Sequence, residues 1–250
     1  MKKHFFALVL ALASGSVLAS GGPDIKLEKV DIDLSDKASL QRGARTFVNY
    51  CLSCHSAGYM RYNRMGQDLG LTEEQVKGNL MFASDKVGEF MKATMPAAEA
   101  KRWFGTAPPD LSLTTRSRTP DWLYTYLLSF YRDEQSATGW DNRVFPKVAM
   151  PHVLAELQGV QRPVYRKVTH KQGGQAVDEQ VFERFEIARA GTMSEKEYNA
   201  TVRDLVNFMT YLGEPAKLER GRIGVFVLLF LAVLLVVSYL LKKEYWRDVH

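Results

Sequence analysis

Residues 223–241, IGVFVLLFLAVLLVVSYLL, form a run of 19 without a single Asp, Glu, Lys or Arg. As a helix rising 1.5 Å per residue the run reaches about 28 Å, close to the hydrocarbon thickness of a bilayer. A core helix of that length would keep a polar face, and this one lacks such a face apart from Ser238. The run is therefore predicted to be a transmembrane helix. Lys217, Arg220 and Arg222 precede it and Lys242, Lys243 and Arg247 follow it, so the bias of basic residues toward the cytoplasm does not orient it. Tyr245 and Trp246 suit the interfacial belt.

The other end of the chain supplies the orientation. MKKHFFALVLALASGSVLAS has a basic start at Lys2 and Lys3, an apolar stretch from Phe5 to Ala13, and the small-residue site Val17-Leu18-Ala19. That is the layout of a secretory signal peptide, too short for a lasting span. The expected division is a signal over 1–19, an exported domain over 20–216, and an anchor with a short cytoplasmic tail over 217–250. The formal charge of +5 falls to +3 once Lys2 and Lys3 leave with the signal. The remaining basic residues are dispersed, which gives no footprint for nucleic acid. The acidic start of the mature chain (Asp24, Glu28, Asp31, Asp33, Asp36) reads as a solvated arm.

Within the exported part the periodicity is mainly helical. Leu40, Ala44, Phe47 and Val48 keep helical spacing up to Tyr50. Thr72–Gln75 and Ser194–Glu197 are capping boxes, a third helix is expected over 96–104, and Thr119-Pro120-Asp121 opens another. The last domain helix carries Tyr198, Val202, Leu205, Val206, Met209 and Leu212 on one face and stops at Gly213 before Pro215. Residues 160–190 alternate as strands around a Gly173-Gly174 turn. The fold expected is mostly α with one small hairpin, and with long loops at 52–71, 105–118 and 131–159.

The only two cysteines lie in CLSCH, residues 51–55. A Cys51–Cys54 disulfide suits an oxidising compartment but leaves His55 without a role. Zinc needs four ligands, and His152, His170 and His250 stand in unpatterned positions. A thioredoxin-like dithiol belongs after a strand in a βαβ unit, which is missing. Covalent attachment of one haem c remains: both thiols add to the haem vinyl groups and His55 reaches the iron. A methionine is the expected partner for a high-potential electron-transfer site. Met95 in KATMPAAEA and Met150 in FPKVAMPHV both precede a proline in a loop, and spacing does not separate them; His152 is a third candidate.

The combination of signal, CLSCHS, WFGTAPPDLSLTTRSR (103–118), FPKVAMP (145–151) and one C-terminal span resembles the cytochrome c1 family, bacterial type, across nearly the whole mature chain. The resemblance implies a cytochrome c-like haem domain in which Met150 is the distal ligand and Met95 is structural. It implies that Arg116, or its neighbour Arg118, pairs with a haem propionate, that Pro109 stiffens the loop on the haem face, and that Trp122 packs near the ring. It also implies a place in the ubiquinol–cytochrome c oxidoreductase (bc1) complex of a bacterial inner membrane, with the haem domain periplasmic. The expected partners are cytochrome b, the Rieske iron–sulfur protein, a cytochrome c acceptor and membrane lipid. The chain departs from the common family text at Lys147-Val148, where Gly-Gln is frequent. Two other functions are compatible with the residues: a membrane-anchored cytochrome c feeding a terminal oxidase, and a haem enzyme with an open distal site.

Overall fold

The computed structural model describes residues 25–172 and 175–248, with the side chains of 170–177 left aside. The signal at 1–19, Asp24, the Gly173-Gly174 turn, the side chain of His170, and His250 lie outside the described residues. Nine helices and three antiparallel two-stranded ribbons follow one another in this part.

Helix α1 (Lys37–Tyr50) is capped by Asp36, whose carboxylate accepts from the Ser39 amide. Its buried face, Ser39, Leu40, Gly43, Ala44, Phe47 and Val48, packs on α8 (Glu195–Gly213). Gly43 sits at the crossing: a Cβ there would overlap the Asp204 carbonyl oxygen and come 2.7 Å from Phe208 Cβ. Phe47 and Phe208 then meet with ring centroids 5.6 Å apart. Beside them Asp204, itself buried, accepts from Ser39 Oγ at 2.8 Å and Arg42 Nε at 2.5 Å. The Asn207 amide donates to Ser39 Oγ and to the Asp33 carbonyl.

Between these two helices in sequence lies everything that shapes the site. β1 (Ala57–Arg61) pairs with β2 (Phe90–Met91), α2 (Tyr62–Leu69) ends on the left-handed Gly70, and α3 (Glu73–Asn79) opens on the expected Thr72–Gln75 box. α4 (Ala97–Phe104) and the one-turn α5 (Thr114–Ser117) precede α6 (Pro120–Leu128), capped by Thr119. β3 (Phe130–Arg132) pairs with β4 (Trp140–Asn142), and α7 (Ala155–Gln158) leads into the hairpin β5 (Gly159–Gln172) and β6 (Gln175–Ala190). α9 (Lys217–Tyr245) has a mean hydropathy of 3.0 over its most apolar stretch and buries none of it within the chain. Its length and composition are those of a single-pass membrane helix.

Three expectations change. The loop expected at 52–71 contains β1 and α2, because Gly66 lets Val76 approach; a Cβ on Gly66 would lie 2.7 Å from Val76 Cγ2. The hairpin is long rather than small, with strands of 14 and 16 residues. Its base is fixed to the body by Gln161, which donates to the Leu128 and Phe130 carbonyls. The acidic arm is tied down: the Glu28 amide donates to Thr125 Oγ1, the Val30 amide to Asp121, and Lys29 pairs with Asp121 at 2.6 Å.

Gly43→Ala forces the two helices apart, and overpacking of this kind costs about 1–3 kcal/mol. A fall of several degrees in the thermal midpoint of the full chain is expected; an unchanged midpoint contradicts the crossing described here. Burial pushes the Asp204 carboxyl up, but the hydrogen bonds from Arg42 and Ser39 more than reverse this and hold it below its ordinary value. A depressed carboxyl contributes stability above its unfolded pKa of about 4 and loses it as pH falls through the folded value. Asp204→Asn should therefore lower stability near neutral pH by about 1–3 kcal/mol, with the gap to the parent closing at strongly acidic pH in a series of thermal melts.

Candidate functional site

The last turn of α1 delivers the two cysteines. The Cys51 amide closes on Phe47, and the Cys54 and His55 amides both donate to the Cys51 carbonyl, at 3.1 and 2.8 Å. One tight turn therefore presents two thiols and an imidazole together, and the thiols are not bridged. Burial, with a smaller contribution from Cys54, pushes the Cys51 thiol up to about 12.

His55 Nδ1 lies 2.8 Å from the Pro109 carbonyl oxygen. With Nδ1–H donating there, Nε2 keeps its lone pair, the tautomer suited to ligating a metal. Burial holds the His55 pKa below its ordinary value, against the opposing pull of the Pro109 bond and of Asp110. The imidazole is thus neutral at physiological pH. The PPDLS loop is stitched to the same segment: Asp110 accepts from the Gly58 and Ser112 amides at 2.8 Å each, and the Leu111 amide donates to the Ser56 carbonyl. Glycine at 58 lets the Asp110 carboxylate come close; a Cβ there would lie 2.9 Å from Asp110 Oδ2.

Met95 and Met150 occupy different settings. The Met95 amide donates to the Ser53 carbonyl, which lays its backbone along the CLSCH turn itself. Met150 lies in the loop between β4 and α7, where Tyr126 of α6 donates its hydroxyl to Sδ at 3.4 Å. The buried pair Asp141 and Asn142 fastens this loop, accepting from the Val148 amide and from the Val144 and Phe145 amides, while Asn142 Nδ2 donates to the Tyr126 carbonyl. Lys147 adopts a left-handed φ of 61°, the backbone state that favours glycine, which explains why the common family text has Gly there.

A row of stacked rings backs Met150. Trp122 stacks on Tyr126 (5.1 Å), Tyr126 meets Phe130 edge-on (5.0 Å), Phe130 stacks on His152 (4.9 Å), and Trp140 closes the row on His152 (5.2 Å). His152 is therefore a buried member of this row, its ring nitrogen 2.6 Å from Gln158 Oε1. Arg118 stands over the Trp122 ring at 5.0 Å. Arg116 turns the other way, toward Glu214 at 3.7 Å, beside Gly213 at the end of α8. Hydrogen bonds thus join Cys51, Cys54, His55 and Pro109 in one group; in a second, Tyr126 donates its hydroxyl to Met150 and stacks on Trp122. Sequence reasoning missed Tyr126, Asp141 and Asn142; the sequence marks Tyr126 only as one more apolar position of α6.

These residues fit a covalently held haem. Two thiols stand free on one turn, the imidazole keeps its outer nitrogen uncommitted, and a thioether is held by a donor. Leu113, just past the PPDLS stretch, and Phe145, in the loop that carries Met150, are 44% and 47% exposed. The fold and this donor set define a c-type haem domain carried on one membrane helix. The model of the Cytochrome C1 family matches residues 29–249. Cytochrome c1 of Allochromatium vinosum is 50% identical over the whole of both chains. A protein of Nitrosomonas europaea named ammonia monooxygenase gamma subunit is 47% identical, also over the whole of both. Cytochrome c1 of Rhodospirillum rubrum is 26% identical over 95% of this chain and 96% of its own. The chain belongs to the cytochrome c1 family, electron-transport proteins that carry one covalently attached haem c.

Burial lowers the His152 pKa to about 4. A histidine kept neutral in the fold contributes stability that is complete above the unfolded pKa of about 6.5 and is lost as pH drops toward the folded value, up to about 3 kcal/mol. His152→Phe, which preserves the stack, should flatten the fall in thermal midpoint between these two pH values. An identical slope in parent and variant would remove His152 as its source.

Proposed function

We propose that the chain is the haem c subunit of a bacterial bc1 complex, accepting single electrons from the Rieske iron–sulfur protein and passing them to a cytochrome c. The observation that carries this reading is the CLSCH turn with His55 Nδ1 bound to the Pro109 carbonyl. A bound haem c supplies a one-electron couple at its iron. The chain's own residues then do the rest. Cys51 and Cys54 would anchor the group covalently, and Nε2 of His55 and Sδ of Met150 would ligate its iron. Pro109 fixes the imidazole, and Tyr126 holds the thioether. A propionate calls for a guanidinium. Of the two arginines suggested by the sequence, Arg118 has no carboxylate partner among the described residues and stands over Trp122, whereas Arg116 is engaged with Glu214. Arg118 is the better-placed cation.

The proposed arrangement in the cell follows the two ends of the chain: signal over 1–19, haem domain over 20–216 on the periplasmic side, and the anchor over 217–250 with its C-terminus in the cytoplasm. The anchor would dock the domain beside cytochrome b. The name of the Nitrosomonas relative favours a second reading, a haem subunit of a multisubunit oxygenase. The haem chemistry is the same in both, so the subunits that co-purify with the chain decide between them: cytochrome b and an iron–sulfur protein in the first, an oxygenase in the second.

Met150→Leu is expected to abolish the long-wavelength thioether-to-iron absorption band and to lower the midpoint potential, since thioether ligation raises it. Met95→Leu should leave both unchanged. The reverse pattern would move the distal ligand to Met95. A Cys51→Ala/Cys54→Ala chain should lose its haem colour on a denaturing gel, where the parent keeps it.

A further inference from the structure

The turn joining β3 to β4 and the base of the β5–β6 hairpin border a crevice of about 460 Å³, whose lining shares only Trp140 with the ring row behind Met150. Arg132, Arg162 and Arg189 line it with Glu134, Trp140 and Val160. They arrive from different strands: Arg132 faces Trp140 across the β3–β4 ladder, Arg162 is on β5, and Arg189 of β6 is opposite Val160. The three guanidinium groups form no ion pair among the described residues. Further along the same hairpin, Lys167 pairs with Asp178 at 2.7 Å and Arg184 with Glu183 and Glu186 at 3.3 and 2.6 Å. The lining carries three cations and one carboxylate, Glu134, while Glu186, opposite Arg162 in the ladder, is engaged by Arg184 at 2.6 Å.

Arg132 is also held in place. Its guanidinium lies 5.8 Å from the Trp140 ring centroid, and Gly139, at a φ of +74°, bends the turn around it. A Cβ on Gly139 would collide with Arg132 Nη1 and lie 3.0 Å from Cζ. The turn therefore has a shape that favours glycine, and the guanidinium occupies the space a Cβ would take.

We propose that this crevice binds an oxyanion of the phosphate class. Guanidinium groups bind phosphate oxygens in pairs, and three of them around one space suit an anion with several oxygens rather than a single carboxylate. The volume is that of a small-ligand pocket. It exceeds a bare phosphate and leaves room for an attached organic group against the Trp140 indole. In a chain with a membrane helix the same chemistry has two sources, a phospholipid headgroup or a soluble phosphate compound.

Calorimetric titration of the detergent-solubilised full chain, haem in place, with inorganic pyrophosphate and separately with short-chain phosphatidylglycerol tests the site and its source. Saturable binding of pyrophosphate assigns a soluble ligand, and saturation by the lipid alone assigns a headgroup. In either case Arg162→Gln/Arg189→Gln should weaken binding by at least about tenfold. Gly139→Ala should weaken it by displacing Arg132, and Arg166→Gln, on the same hairpin outside the crevice, should not. Unchanged haem spectra and thermal midpoints check that each variant is folded. Failure of both probes to saturate, or equal affinity in the parent and in Arg162→Gln/Arg189→Gln, overturns the proposal.

Discussion

The domain depends on how closely α1 and α8 approach at Gly43. These helices lie near the two ends of the domain, so their contact closes the chain around everything between them. Backbone contact at the crossing brings Phe47 and Phe208 together and seals Asp204 beside Ser39 and Arg42. It also has a chemical consequence. The Cys51–His55 turn is the direct continuation of α1, so the position and rotation of that helix set where both thiols and the imidazole point. A shift of α1 on α8 would carry the whole attachment turn with it.

Much of this was legible in the sequence where a feature is local. The capping boxes at Thr72 and Ser194, the proline-led start of α6, the stop at Gly213 and the apolar span all depend on residues a few positions apart, and each forms as read. The failures are non-local. Helix α2 depends on Val76 packing over Gly66, and the acidic arm is held because Asp121 and Thr125 offer acceptors nearly a hundred residues away. Met150 could not be separated from Met95 by spacing, because what distinguishes their settings is a hydroxyl on α6 and a pair of buried side chains on β4. The resemblance to known family text pointed to Met150, and the structure supplies the physical setting for that choice.

His55 and Met150, the ligands proposed above, are each held by a neighbouring group: the Pro109 carbonyl and the Tyr126 hydroxyl. The carbonyl of Pro109 fixes the imidazole tautomer, and the loop carrying it is locked to the CLSCH segment by Asp110 and Ser112. The Tyr126 hydroxyl holds the thioether, and Tyr126 is itself held between Trp122 and Phe130. Such supporting partners orient ligands and tune the electron density of a metal. The PPDLS stretch makes three such bonds: Pro109 accepts from His55, Asp110 from the Gly58 amide and Ser112 Oγ from the Tyr59 amide.

The link between this site and the membrane passes through Glu214. It lies between α8 and α9, pairing with Arg220 at the start of the anchor and approaching Arg116 at 3.7 Å. Arg116 follows Pro109 in the same segment, so the loop that positions His55 and the base of the membrane helix share one carboxylate. Exposed ion pairs contribute at most about 1 kcal/mol each, too little to fix the angle between domain and anchor by themselves. Just before the break at Glu214-Pro215, Gly213 packs closely on α5: a Cβ there would lie 3.0 Å from Thr115 Oγ1 and 3.3 Å from Arg116 Cγ. Arg116 thus approaches Glu214 where the domain is joined to its anchor, and Arg118 stands over the Trp122 ring.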